Sequence, residues 1–138
     1  MKILSLLLLL ITASCSAVES TERDWSFVKS VGGLIISQPY KELNKHYLPI
    51  KVDVSGLQEI TTKPTMLNSA LMCSRTGHII KDKEIHISIY TSLITEAADR
   101  SCKSIPLSGI KEGNYTVYYS TNSTEKHELG TVTISSNK

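Results

Sequence analysis

The chain holds one Trp, one Phe and four Pro among its 138 residues, and its Lys plus Arg exceed its Asp plus Glu by only two. So slight an excess, smaller still once Lys2 leaves with a leader, lacks the electrostatic footprint of a nucleic-acid binder. The charges also alternate in sign, as in Lys81-Asp82-Lys83-Glu84 and Glu125-Lys126-His127-Glu128, which is the pattern of a solvated surface rather than a basic stripe. The three cysteines include no Cys-x-x-Cys pair, which argues against a thioredoxin-type redox site, and no His or Cys cluster has the spacing of a zinc centre. No apolar run reaches the roughly 20 residues needed to cross a bilayer.

What is present at the start is a leader. Met1 and Lys2, the apolar residues 3–11 and the small residues 12–17 give a positive start, an apolar core and a cleavage region. Two cuts are open. One falls after Ala17, making residues 1–17 the signal peptide. The other follows the resemblance of Ile11-Thr12-Ala13-Ser14-Cys15 to a bacterial lipoprotein leader, with residues 1–14 removed and Cys15 freed for lipid attachment. Either way Cys15 is removed or consumed, and Cys73 and Cys102 remain as a pair in an exported chain. An even count in an oxidising compartment predicts one disulfide. It would close a loop of about 30 residues, for which chain entropy gives about 3–4 kcal/mol of stabilisation.

Residues 18–30 read as a polar tether, and residues 31–138 as one all-β domain. Short apolar runs broken by turn residues predict strands over 31–36, 48–54 and 66–73, with Gly77 breaking the third. The clearest strand alternates Ile85, Ile87 and Ile89 with His86, Ser88 and Tyr90, which turns His86 away from the isoleucines. A short helical turn fits within 92–100, and Pro106 confines 105–107 to an edge or a strand end. Tyr115, Val117 and Tyr119 face the core of the next strand, and 127–135 returns beside it with Leu129, Val132 and Ile134 inward. About seven strands with turns at roughly 8–12-residue intervals make a β-sandwich of immunoglobulin-like type, with a small barrel as the alternative.

The stretch from Leu107 through Gly113, Tyr115 and Val117, followed by Leu129-Gly130-Thr131-Val132-Thr133-Ile134, resembles the last two strands of exported bacterial immunoglobulin-like domains. The resemblance covers the second half of the chain. It implies that Gly113 turns the chain into the strand and that Tyr115 fills the core as a corner tyrosine, bonding back to the backbone. Periplasmic copper carriers share a similar terminal pattern, but the N-terminal His and the Met- or His-rich ligands it implies are lacking. His46, His78, His86 and His127 are dispersed, and Met66 and Met72 sit in an apolar run.

No Ser or His stands in a catalytic motif, and Glu84 with His86 reads as a solvated pair on one strand face, so the expectation is a protein that is not an enzyme and holds no cofactor or metal. Glu96 and Asp99 beside Arg100 read as a charged loop. Asn114-Tyr115-Thr116 and Asn122-Ser123-Thr124 match the glycosylation triplet by chance in a chain with a bacterial leader. Tyr118 has the opposite pleat parity to Tyr115, Val117 and Tyr119 and is expected to be exposed. Together with Tyr90 and His86 it forms the candidate binding face, because tyrosine among Ser, Thr and Asn suits protein recognition. The expected function is a non-enzymatic binding or accessory module of a bacterial envelope, periplasmic or secreted, its partner another envelope protein, and its only membrane contact an outer-membrane lipid anchor at Cys15. The alternative is an inhibitor or immunity protein that blocks an envelope-directed hydrolase with a loop at 57–64 or 120–127.

Overall fold

The computed structural model describes residues 19–56, 70–94, 101–121 and 125–136. The leader with Cys15, Met66, the 57–64 loop, the Glu96–Asp99 pair and the Asn122 triplet lie outside them. In chain order the elements are β1 (Thr21–Glu22), α1 (Trp25–Ser30), β2 (Ile35–Ile36), β3 (Tyr40–Glu42), β4 (Lys45–Asp53), β5 (Leu71–Lys81), β6 (Glu84–Leu93), β7 (Ser101–Leu107), β8 (Gly113–Ser120) and β9 (Lys126–Ile134).

Alternation decides which side of each strand is wet. On β6, Ile85, Ile87 and Ile89 are buried, and on β8 Tyr115, Val117 and Tyr119 join them. Leu48, Ile50 and Val52 of β4 and Ile105 and Leu107 of β7 supply the facing layer, and all belong to one apolar cluster. The described residues thus form a two-sheet, sandwich-like all-β fold. In one sheet β5 lies antiparallel along one edge of β6. The other edge of β6 is shared by β8, parallel at residues 84–87, and β1, antiparallel at residues 90–91, and β9 returns beside β8. In the other sheet β4 pairs with β2, β3 and β7. β7 has no further neighbour there among the described residues, so Pro106 sits on the edge strand its missing N–H requires.

Cys73 on β5 and Cys102 on β7 form a disulfide with Cα atoms 5.5 Å apart, joining the two sheets. The corner tyrosine is also present: the Tyr115 hydroxyl donates to the Lys111 carbonyl at 2.9 Å, and Gly113, at φ 136°, turns the chain into β8.

Several expectations are corrected. Residues 19–30 are part of the folded body rather than a tether: β1 pairs with β6, and Asp24 caps α1 by accepting from the Phe27 amide at 2.8 Å. Phe27 and Val28 enter the core, and the Tyr119 hydroxyl donates to the Arg23 carbonyl while receiving the Ile89 amide. The described residues hold nine strands instead of seven. The β3–β4 hairpin escapes sequence reading because its turn uses Leu43 and Asn44, at φ 45° and 63°, without glycine. The predicted strand at 31–36 shrinks to Ile35–Ile36, since α1 runs to Ser30 with Val31 as its C-cap. Ser92 and Leu93 finish β6, and residues 95–100 of the expected helical turn lie outside the described residues. Gly77 does not end a strand but lies mid-β5, because a Cβ there would meet Ser88 Oγ at 2.8 Å and the Tyr90 ring at 3.3 Å.

Replacing Cys73 and Cys102 together with Ala is expected to lower the unfolding free energy by about 2–4 kcal/mol in a denaturant titration. Burial pushes the Tyr119 phenol up to about 12, above its ordinary 10.0. A folded-state value above the unfolded one means this contribution is complete below pH 10 and is lost as pH rises through about 12. Ultraviolet titration should show one tyrosine ionising near pH 12, and Tyr119→Phe should remove that step.

Candidate functional site

The outward face of the β5–β6–β8–β9 sheet is built row by row from strand register. Ile79 lies across from His86, His86 beside Tyr118, and Tyr118 across from Glu128, so four strands contribute one transverse row. The next row along β6 places Gly77 across from Ser88, and the one after it Arg75 across from Tyr90, with Glu22 of β1 on the far side. Cross-strand neighbours on one face touch, so these side chains form a continuous surface.

His86 is fixed on three sides. Its Nε2 lies 2.8 Å from Glu84 Oε2, its Nδ1 lies 3.1 Å from Ser120 Oγ, and its ring stacks on Tyr118 with centroids 5.5 Å apart. Glu84 also accepts from Lys126 Nζ at 2.9 Å and 3.1 Å, and that ammonium lies 4.4 Å from the Tyr118 ring centroid. The hydrogen bond from Lys126, and then that from His86, lowers the Glu84 pKa, so the carboxylate is an acceptor only at neutral pH. The hydrogen on the 2.8 Å contact must therefore belong to Nε2, and in the neutral ring Nδ1 accepts from the Ser120 hydroxyl. The same bond to Glu84 raises the Lys126 pKa.

Tyr90 is held separately. Its hydroxyl donates to Glu22 Oε1 at 3.0 Å, and the Arg75 guanidinium lies 3.4 Å from its ring centroid, in the cation–π position. The ring edge occupies the space that the missing side chain of Gly77 leaves open. Between the two held rings runs a cleft of about 240 Å³, lined by Gly77, His78, Ile79, His86, Ser88 and Tyr90 among others. A second cleft of about 180 Å³ lies past Ser120 and Thr121, where Trp25 stacks on His127 at 4.9 Å.

The sequence-predicted trio of His86, Tyr90 and Tyr118 therefore shares one face, and the expected Glu84–His86 pair is present. Tyr118 departs from expectation: it is half-buried rather than exposed, because the Lys126 ammonium and the His86 imidazole lie against its ring. Sequence reading missed Lys126, Arg75, Gly77 and Ser120. Pleat parity puts Ser120 on the Tyr118 side of β8, but only the parallel β6–β8 register brings it to His86. His46 contacts the Ser135 carbonyl and His127 stacks on Trp25, both away from His86. Among the described residues no three His, Cys, Asp or Glu side chains are placed to share a metal ion, and no helix is long and apolar enough to cross a membrane.

Glu84, His86 and Ser120 have the carboxylate–imidazole–hydroxyl connectivity that activates a serine in acyl transfer. Here the carboxylate is divided between the imidazole and the Lys126 ammonium, and the result is a ring with both nitrogens engaged. What the arrangement offers is a rigid patch of rings, donors and acceptors beside a cleft. The chain matches no family model, and no curated protein or solved structure matches it.

The Glu84 pKa lies below its ordinary 4.5, so its contribution to stability is present above pH 4.5 and is lost as pH falls through the lowered value. Glu84→Gln should flatten the acid limb of the stability–pH curve measured by thermal unfolding.

Proposed function

We propose that the chain is an exported, non-enzymatic binding or accessory module of a bacterial cell envelope, periplasmic or secreted, or held on the outer membrane by lipid at Cys15. Its partner is another envelope protein, engaged through the outward face around His86, Tyr118 and Tyr90. The reading rests most on the held rings of this face. Aromatic side chains fixed before contact lose little conformational freedom on binding, which favours affinity from a small surface. Lys126, Glu84 and Glu22 supply both signs of charge around them, which favours register and choice of partner. The Cys73–Cys102 bond supports export, since such bonds persist in oxidising compartments. The terminal-strand pattern supports kinship with exported immunoglobulin-like domains.

The test is capture from envelope extract under matched conditions with the native chain and with Tyr118→Ala. A specific partner should be retained by the native chain and reduced about tenfold or more by the substitution, a loss typical of a central aromatic contact. Equal capture by both chains, with circular dichroism unchanged, would remove this face from the proposal.

A further inference from the structure

The two edges of the larger sheet are treated differently. On β9 the Gln38 side chain imitates a neighbouring strand: its Nε2 donates to the Thr131 carbonyl at 3.3 Å, and its Oε1 accepts the Thr133 amide at 3.1 Å. The free edge of β9 is thus blunted. On β5 no strand lies along the outer edge among the described residues, and the half from Thr76 to Lys81 lies beyond the Cys73 disulfide. Proteins usually protect a long edge with proline, a bulge or charge, because open N–H and C=O groups invite another strand. β5 has one bulge, between Cys73 and Arg75, and beyond it runs unbroken and proline-free to Lys81. Ile79, in the middle of this open half, is 68% exposed.

The side chains state what would fit. Alternation puts Arg75, Gly77, Ile79 and Lys81 on the outward side of β5, across from Tyr90, Ser88, His86 and Glu84. Neither Arg75 nor Lys81 has a carboxylate partner within 4.0 Å among the described residues. Between them Gly77, its missing side chain's space taken by Ser88 Oγ and the Tyr90 ring, lines the cleft of about 240 Å³. The edge thus reads cation, glycine beside a cleft, apolar knob, cation.

A second copy of the chain would place its Ile79 over Gly77 in a two-fold antiparallel pair centred on His78. The same register sets Arg75 against Lys81 of the other copy at both ends, and like charges directly opposite are destabilising. A different strand with acidic residues at those two positions has no such penalty. We propose that β5 is a strand-addition site for an extended, acidic-ended segment of the partner. A branched apolar side chain of that segment would enter the cleft that Gly77 lines, and its acids would meet Arg75 and Lys81. This rests on reading the domain as a binding module and names how that partner is gripped.

The probe is a synthetic strand, Glu-Thr-Val-Thr-Ile-Thr-Glu, whose Ile faces Gly77 in antiparallel register, compared with the same strand ending in Lys at both positions. Binding is read by fluorescence anisotropy and by amide exchange of the folded chain. The acidic strand should slow exchange at Thr76 to Lys81, and the lysine-ended strand should bind about tenfold more weakly, as two reversed cross-strand charge pairs imply. The double substitution Arg75→Glu and Lys81→Glu, on two exposed side chains, should invert that preference. Equal binding of both strands, protection confined to another element, or concentration-dependent dimerisation through β5 would each overturn the proposal. Envelope capture that needs Tyr118 but is unaffected by the double charge reversal would overturn the strand-addition site and leave the binding reading in place. Capture that depends on neither would end both.

Discussion

Burial of Ile85, Ile87 and Ile89 on one side of β6 dictates that Glu84, His86, Ser88 and Tyr90 stand on the other, and the rest of the candidate site is arranged around that fixed row. β6 is the most constrained strand of its sheet, bonded to β5 on one edge and to β8 and β1 on the other. Slipping it by one residue would bury a glutamate, a histidine and a tyrosine and expose three isoleucines, an exchange costing several kcal/mol. The outward row is therefore as firmly set as the core that opposes it.

Rigidity on that face comes from pairing rather than burial. His86 is held by Glu84, Ser120 and Tyr118 together, and Tyr90 by Arg75, Glu22 and the vacancy at Gly77. The N-terminal residues serve the same end from within. α1 and β1 are fastened through the Tyr119 hydroxyl and the Arg23 backbone, and β1 closes the part of the β6 edge that β8 leaves open. Without that closure a second stretch of open edge would lie beside the site.

Much of this was legible in the amino-acid order, and the failures have physical reasons. Period-two alternation identified β6 and β8 and turned His86 outward, and cysteine parity gave the disulfide. The corner role of Tyr115 followed from a resemblance in the terminal strands. Gly77 was misread because glycine usually interrupts a strand, whereas here the absent side chain makes room for a ring two residues along the neighbouring strand. Residues 19–30 were misread because a six-residue helix buries only Phe27 and Val28, too few positions to show helical periodicity. The meeting of His86 with Tyr118 and Ser120 could not be read at all. The chain leaves for the other sheet as β7 between β6 and β8, and nothing local sets a parallel register across such an excursion.

The face around His86 is held in one arrangement by its own contacts, and the imidazole of His86 reports that arrangement. Proton–nitrogen correlation spectroscopy across the His86 ring of the folded chain, with the ring in its neutral form, distinguishes a fixed tautomer from an averaging one. One tautomer of the neutral ring is expected, protonated on Nε2 toward Glu84 with Nδ1 accepting from Ser120, and that preference should be lost in Glu84→Ala, which removes the acceptor. Two nitrogens with averaged shifts in the native chain, unchanged by that substitution, would contradict it.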